Sequence, residues 1–232
     1  MQPLLEARGI MKEYAGETVL AGCDLSIRPG DAVAVIGASG EGKSTLLSIL
    51  GLLLSPSAGR VLVAGSDALA VTERELSALR SRAFGFMFQH TQIIGSLRVF
   101  ENVLVPASFG GADRRAAAER AVRLVEQLGI ANRTNHYPHQ LSVGQKRRVA
   151  LARALVLEPM VVIADEPTND LDEATAAVVE KTLLEYADGS HGVVYATHDR
   201  ELASRASRVM LLADGRLREL APDEVKEARR AC

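Results

Sequence analysis

The chain has 232 residues, with 27 Lys and Arg against 29 Asp and Glu, and a formal charge of −2. Hydrophobic residues make up 47% and charged ones 24%, the balance of a folded globular protein, which excludes an intrinsically disordered chain. The near-neutral charge gives no general reason to bind nucleic acid, though it leaves room for a small anionic ligand.

The first third reads as strands. Leu4 to Tyr14, Thr18 to Ile27 and Asp31 to Ile36 are short apolar or alternating runs, broken at Gly16 and at Pro29-Gly30. A helix is predicted from Lys43 to about Gly51, followed by strands at Gly59 to Ala64 and Phe84 to Phe88. From about Thr91 to Leu157 the pattern turns helical, most clearly over Arg114 to Leu128, which stops at Gly129. A helix at Lys146 to Leu157 ends that region.

Alternation then resumes. Met160 to Ala164 is a strand, Ala174 to Tyr186 a helix, and Val193 to Thr197 and Val209 to Ala213 are strands. Pro222 to Arg230 reads as a short exposed helix. This predicts an α/β fold: a phosphate-loop core with a mostly parallel sheet, N-terminal antiparallel strands and an inserted helical subdomain. The expected division is one domain over 1–232. Its core covers about 1–90 and 158–221, its helical subdomain about 91–157, and its tail 222–232.

The two cysteines, Cys23 and Cys232, form no disulfide framework, which points to a reducing compartment. Met1 to Glu6 lacks the basic start and apolar core of a signal peptide. The most apolar stretch, Leu46 to Leu54, is nine residues long, where a membrane-spanning helix needs about 20. The expectation is a cytoplasmic chain that reaches a membrane only through a partner.

Gly37-Ala38-Ser39-Gly40-Glu41-Gly42-Lys43-Ser44-Thr45 fits G-x-x-x-x-G-K-[ST], between an apolar strand and an apolar helix. Glycines let the backbone wrap with its N–H groups inward, and the helix adds the positive end of its dipole. Lys43 supplies a charge to β- and γ-phosphates, and the Ser44 hydroxyl is a Mg²⁺ ligand. The loop predicts nucleoside triphosphate binding.

Val161-Val162-Ile163-Ala164-Asp165-Glu166 carries two carboxylates to the end of a buried strand, the edge where α/β proteins bind ligands. Asp165 is placed for Mg²⁺, directly or through water, and Glu166 for polarising an attacking water. The two jobs need separate groups, since a metal-bound carboxylate is a poor base.

Leu141-Ser142-Val143-Gly144-Gln145 opens the helix that follows, with Ser142 and Gln145 at capping-box spacing. It is either an ordinary helix start or a second anion-binding one. In the second case two copies would complete each other's sites. His136 and His139 have the spacing of two metal ligands, but no further ligand lies nearby, so a surface loop is expected.

On these residues the chain resembles the ATP-binding subunit of ABC transporters over nearly its whole length. The resemblance implies that Leu141 to Gln145 is the signature reaching across a head-to-tail dimer to the partner's γ-phosphate. Gln89 then looks like the Q-loop glutamine that senses Mg²⁺ and the membrane partner. Asn169-Asp170-Leu171-Asp172 is similar to the D-loop, His198 to the switch histidine that contacts the γ-phosphate, and Tyr14 to the aromatic stacked on adenine. Two positions depart from the family pattern: Val143 and Asn169 stand where glycine is usual.

Phe86 to Gln89, Glu101 to Pro106 and Asp165 to Asp172 resemble the subgroup of lipoprotein-releasing, macrolide-exporting and cell-division ATPases. The resemblance implies an ATPase that takes ATP and Mg²⁺ and works as a homodimer or paralogous heterodimer. It further implies an integral membrane permease docked near Gln89 to Pro106 on the cytoplasmic face, with export, extraction or force transmission as the output. Three rival classes share the phosphate loop: a non-transport ABC ATPase acting on nucleic acid or ribosomes, a small-molecule kinase, and a nucleotide-dependent scaffold. The first usually has two ATPase domains or long coiled coils in one chain, and a kinase has no use for Leu141 to Gln145.

Overall fold

The structure, a computed structural model, describes residues 2–89, 91–109 and 112–225. Two strands open it, β1 (Leu5–Tyr14) and β2 (Glu17–Ile27), paired antiparallel. Alternation along β1 buries Leu5, Ala7 and Ile10. The register with β2 shifts at three places along β1, the first of them at Gly9, whose φ is +58°. Next come β3 (Ala32–Ile36), α1 (Lys43–Leu50), β4 (Ala58–Val63), the two-residue β5 (Ser66–Asp67), α2 (Glu73–Ala83) and β6 (Phe84–Met87).

Three helices follow: α3 (Val99–Leu104), α4 (Arg114–Gln127) and α5 (Val143–Leu155). Short 3₁₀ turns at Val105–Ser108, Ala131–Arg133 and Pro138–Gln140 connect them. Gly129 has a φ of +64°, the left-handed geometry that stops α4 where the sequence predicts. The last elements are β7 (Val161–Asp165), α6 (Glu173–Tyr186), β8 (Gly192–Ala196), α7 (Arg200–Ser204), β9 (Arg208–Ala213) and β10 (Arg216–Glu219). Residues 222–225 are helical, and the rest of the C-terminal helix expected from the sequence lies outside the described residues.

The strands form two sheets. One is antiparallel, in the order β2-β1-β4-β5; the other runs β10-β9-β3-β8-β7-β6 and is parallel except for β10. Its central strands β3, β7 and β8 are near-continuous apolar runs because both faces are covered. One core cluster lies between the two sheets around α1, joining Leu20, Leu46, Ile49 and Val194. A second lies on the opposite face of the large sheet, where Val103, Val125, Leu151, Val179 and Tyr195 bring α3, α4, α5, α6 and β8 together.

The sequence misses α2, β5, α7 and β10, and α5 starts at Val143, three residues before the predicted Lys146. Ser142 is its N-cap and the capping box is closed from both sides, so the turn after Ser142 is already helical.

Candidate active site

The carboxyl ends of β3, β7 and β8 meet at one edge of the parallel sheet. After β3 the chain turns through residues 37–42 into α1. A Cβ on Gly37 would collide with the Leu212 carbonyl of β9. Gly42 sits at φ +94°, where a Cβ would lie 2.8 Å from Val19 Cγ1. The turn therefore closes only with glycine at both places. No side chain caps α1 and no acidic residue stands in its first turn, so its positive end is left open for an anion. Lys43 Nζ lies inside the loop, donating to the Gly37 carbonyl at 2.9 Å and the Ala38 carbonyl at 2.8 Å.

Ser44, one residue along α1, lines the same small cavity as Asp165 at the end of β7. Burial pushes the Asp165 carboxyl up from its ordinary value. The Ser44 hydroxyl pulls it down, the Glu166 charge raises it, and Lys43 lowers it. Glu166 follows at φ +48°, a conformation costing a non-glycine residue about 1–3 kcal/mol. Its N–H donates to the Ala196 carbonyl of β8 at 3.0 Å, holding the bend. Its carboxylate Oε2 lies 2.9 Å from His198 Nδ1, with Glu166 nearly buried and His198 open to solvent. His198 is positioned by the turn after β8. Buried Thr197 accepts from the Asp199 N–H at 3.0 Å, and Asp199 caps α7.

Lys43, Ser44, Asp165, Glu166 and His198 thus form one cluster. Gln89 is exposed on the loop after β6 and follows Phe88, which with Ser44 and Asp165 helps to line a small cavity of about 20 Å³. Asn169 and Asp170 continue the turn from Glu166: the Asn169 N–H donates to the Glu166 carbonyl, and Asp170 has φ +60°. Asp172 caps α6 through the Thr175 N–H. Tyr14 stands apart at the end of β1, half exposed, with the Lys12 ammonium 5.1 Å from its ring centre.

Leu141 to Gln145 is not in this cluster. Ser142 Oγ accepts from the Gln145 N–H at 3.2 Å, and the Gln145 side chain accepts from the Ser142 N–H at 3.0 Å. Gly144 packs on Thr175 of α6, and Val143 is 57% exposed. Among the described residues no hydrogen bond or ion pair joins 141–145 to 37–45. His136 lies by Arg133 Nη1 at 3.1 Å, and the His139 ring stacks on Tyr137. Among the described residues no group of three or more His, Cys, Asp or Glu has the arrangement of a metal site.

Ser44 and Asp165 line one cavity, and their hydroxyl and carboxylate oxygens are the donor set a hard cation such as Mg²⁺ takes.

Sequence reading misses Arg147 of α5, which is 3% exposed and bonds the loops of Gln89 and Asn169. One signal was available: Arg147 falls in line with buried Ala150, Leu151 and Ala154, so the helical period puts a charge on the apolar face.

A phosphate-loop turn, a metal-ready Ser–Asp pair and a carboxylate at the sheet edge define a nucleotide-hydrolysing α/β cassette. The ABC transporter family profile matches residues 20–169, well over half of the chain. The lipoprotein-releasing system ATP-binding protein LolD of Aquifex aeolicus (strain VF5) is 42% identical over 217 residues, covering 94% of this chain and 97% of that protein. The pyoverdine export ATP-binding/permease protein PvdT of Pseudomonas syringae pv. syringae (strain B728a) is 47% identical over 218 residues, covering 92% of this chain. This chain spans only about a third of that relative's length (33%). Among solved structures, the dimeric bacterial ABC transporter cassette MJ0796 superposes with a TM-score of 0.84 at 33% identity, over 94% of this chain and 98% of that one. The same cassette has been solved as a dimer in a post-hydrolysis state bound to ADP and Pi, with a TM-score of 0.84 and 34% identity over 94% and 98%.

The chain therefore belongs to the ABC transporter family. Within it, the chain is an ATP-binding cassette of the kind that hydrolyses ATP.

Proposed function

We propose that two such cassettes, identical or paralogous, bind Mg-ATP head to tail and that its hydrolysis drives an integral membrane permease. The single observation that carries this reading is the incomplete site. Lys43, Ser44, Asp165, Glu166 and His198 gather at one edge, while the second exposed helix start, at Ser142 to Gly144, lies outside that cluster. A second copy turned to face the first would bring that start, with its N–H groups and dipole, to the open side of the nucleotide.

In this reading the loop from Gly37 to Thr45 and Lys43 hold the β- and γ-phosphates, and Tyr14 stacks on the base. Ser44, Asp165 and Gln89 would hold Mg²⁺. When bound, Mg²⁺ neutralises charge on the phosphate oxygens. Glu166 orients a water and takes its proton as the water oxygen bonds to the γ-phosphorus. The bond from that phosphorus to the β–γ bridging oxygen breaks, and ADP leaves with the electron pair. His198, held by Glu166, supports the γ-phosphate, and Asn169 to Asp172 face the partner copy.

The permease docks near Gln89 to Pro106. A cavity of about 450 Å³ there is lined by Phe86, Phe88, Val105, Pro106, Phe109 and Arg153, and Phe109 is 62% exposed. An amphipathic helix from a membrane partner suits such an apolar groove. The relatives named as ATP-binding/permease proteins are about three times as long as this chain, which leaves length for a permease part there. The place of work is the cytoplasmic face of the membrane, and no nucleic acid is involved. LolD and PvdT among the relatives favour export, lipoprotein or peptide extraction, or force transmission.

The test is Glu166→Gln. The variant should bind ATP as the parent does, lose nearly all turnover, and elute as an ATP-dependent dimer in size-exclusion chromatography. Near-parental phosphate release would remove Glu166 from its role.

A further inference from the structure

Arg147 projects from the second turn of α5 into the fold and is 3% exposed. Its Nη1 donates to the Phe88 carbonyl at 3.0 Å and to the Gln89 carbonyl at 2.9 Å. Its Nη2 donates to the Asn169 carbonyl at 3.2 Å. One guanidinium therefore bridges the loops that leave two neighbouring parallel strands, β6 and β7, from the helix that Ser142 caps. We propose that Arg147 is a positioning residue that locks the Gln89 loop and the Asn169–Asp170 loop to α5, so that all three move as one body when Ser142 to Gly144 engages a nucleotide. This rests on the reading of the site given above and deepens it.

Stability alone is a poor reason for this residue. Burial pushes the guanidinium down from its ordinary value, and the charges of Asp170 and Glu166 oppose that. Its Nε is buried with no hydrogen-bond partner among the described residues. An apolar side chain at this point would pack α5 without either cost. An arginine adds what an apolar residue lacks: a rigid planar fork whose two ends hold different backbones at a fixed spacing. Lysine, a single point donor on a flexible stem, reaches one loop at a time.

The linkage has a direction. Engagement of Ser142 to Gly144 by the partner copy's nucleotide shifts α5. Arg147 carries that shift to the Phe88 and Gln89 carbonyls, where Phe88 lines one cavity with Ser44 and Asp165, and to the turn that continues from Glu166. Each site thus registers whether the opposite one is filled.

The test compares the full-length parent with Arg147→Met and Arg147→Lys, with Glu166→Gln as the reference for a dead site. Both Arg147 variants should bind a fluorescent ATP analogue with parental affinity, since neither touches residues 37–45. Both should lose kcat by about tenfold or more with KM little changed, the mark of misplaced rather than missing groups. Amide hydrogen exchange should quicken at 88–89 and 169–171 and stay unchanged at 37–45. Near-parental kcat in both variants overturns the proposal while Glu166→Gln keeps the site reading intact. A joint fall in melting temperature, analogue affinity and kcat, restored by lysine, also overturns it, as the mark of a packing role only. A parent that releases no phosphate overturns the site reading, and this inference with it.

Discussion

Asp165 and Glu166 are adjacent carboxylates in opposed settings. Asp165 ends a buried strand with its pKa raised by burial, whereas Glu166 turns out at a left-handed φ toward His198. A raised folded-state pKa means that the charged Asp165 opposes folding. Its stabilising contribution is present when the group is protonated and is lost as pH rises through the folded value. Asp165→Asn, which keeps an acceptor for Ser44, should therefore raise the melting temperature by a few degrees near neutral pH and abolish hydrolysis. The gain should shrink as pH falls toward the ordinary carboxylate range, which a pH series of thermal melts reads directly. At this scale the phosphate loop, Asp165 and Glu166 could be read from motifs whose spacing follows from the chemistry, whereas His198 came only from the resemblance. Arg147 was not legible, because its partners are carbonyls 59, 58 and 22 residues away, and main-chain acceptors leave no signature in a sequence.

Between elements, the contact that sets the site is α5 against β6. A Cβ on Gly85 would collide with the Ala154 carbonyl of α5 and lie 2.9 Å from Pro159 Cγ. The helix therefore reaches the strand only because no side chain stands between them. Gly85→Ala should cost about 1–3 kcal/mol by overpacking. Chemical denaturation should show this as a lower midpoint with an unchanged slope. Activity should fall as well, since pushing α5 outward moves Arg147 away from the Gln89 loop. The parallel strands were legible from their apolar runs, and α4 from its period and Gly129. The element α2 was not, since its apolar stripe is short, only Leu76, Leu79 and Ala83, and Ala83 alone is fully buried. Its signal was instead the Thr72–Glu75 capping box, closed on both sides. The strand β10 was missed for a related reason. Arg216 to Glu219 has only Leu217 to bury, and the Asp214-Gly215 turn, with both residues at positive φ, was its mark.

At the scale of the molecule, two cores on opposite faces of one sheet hold two helix starts, and they differ in how they receive charge. The start of α1 has a lysine and the Ser44–Asp165 pair beside it, whereas that of α5 has Ser142 as cap and an exposed Val143. No acidic residue stands in the first turn of α5. Val143→Asp separates the two roles of that start. For the helix, a carboxylate at the positive end of the dipole is favourable by about 0.3–1 kcal/mol. For a partner copy's triphosphate it is a like charge placed at the approach, where removal from water strengthens repulsion. The variant should keep or slightly raise the parental melting temperature and bind an ATP analogue with parental affinity as a monomer. In the Glu166→Gln background it should fail to form the ATP-dependent dimer at any nucleotide concentration that saturates the parent. A dimer of undiminished stability would place the meeting surface of the two copies elsewhere than on Leu141 to Gln145. A loss of folding would mean that the start of α5 serves the fold before it serves the nucleotide.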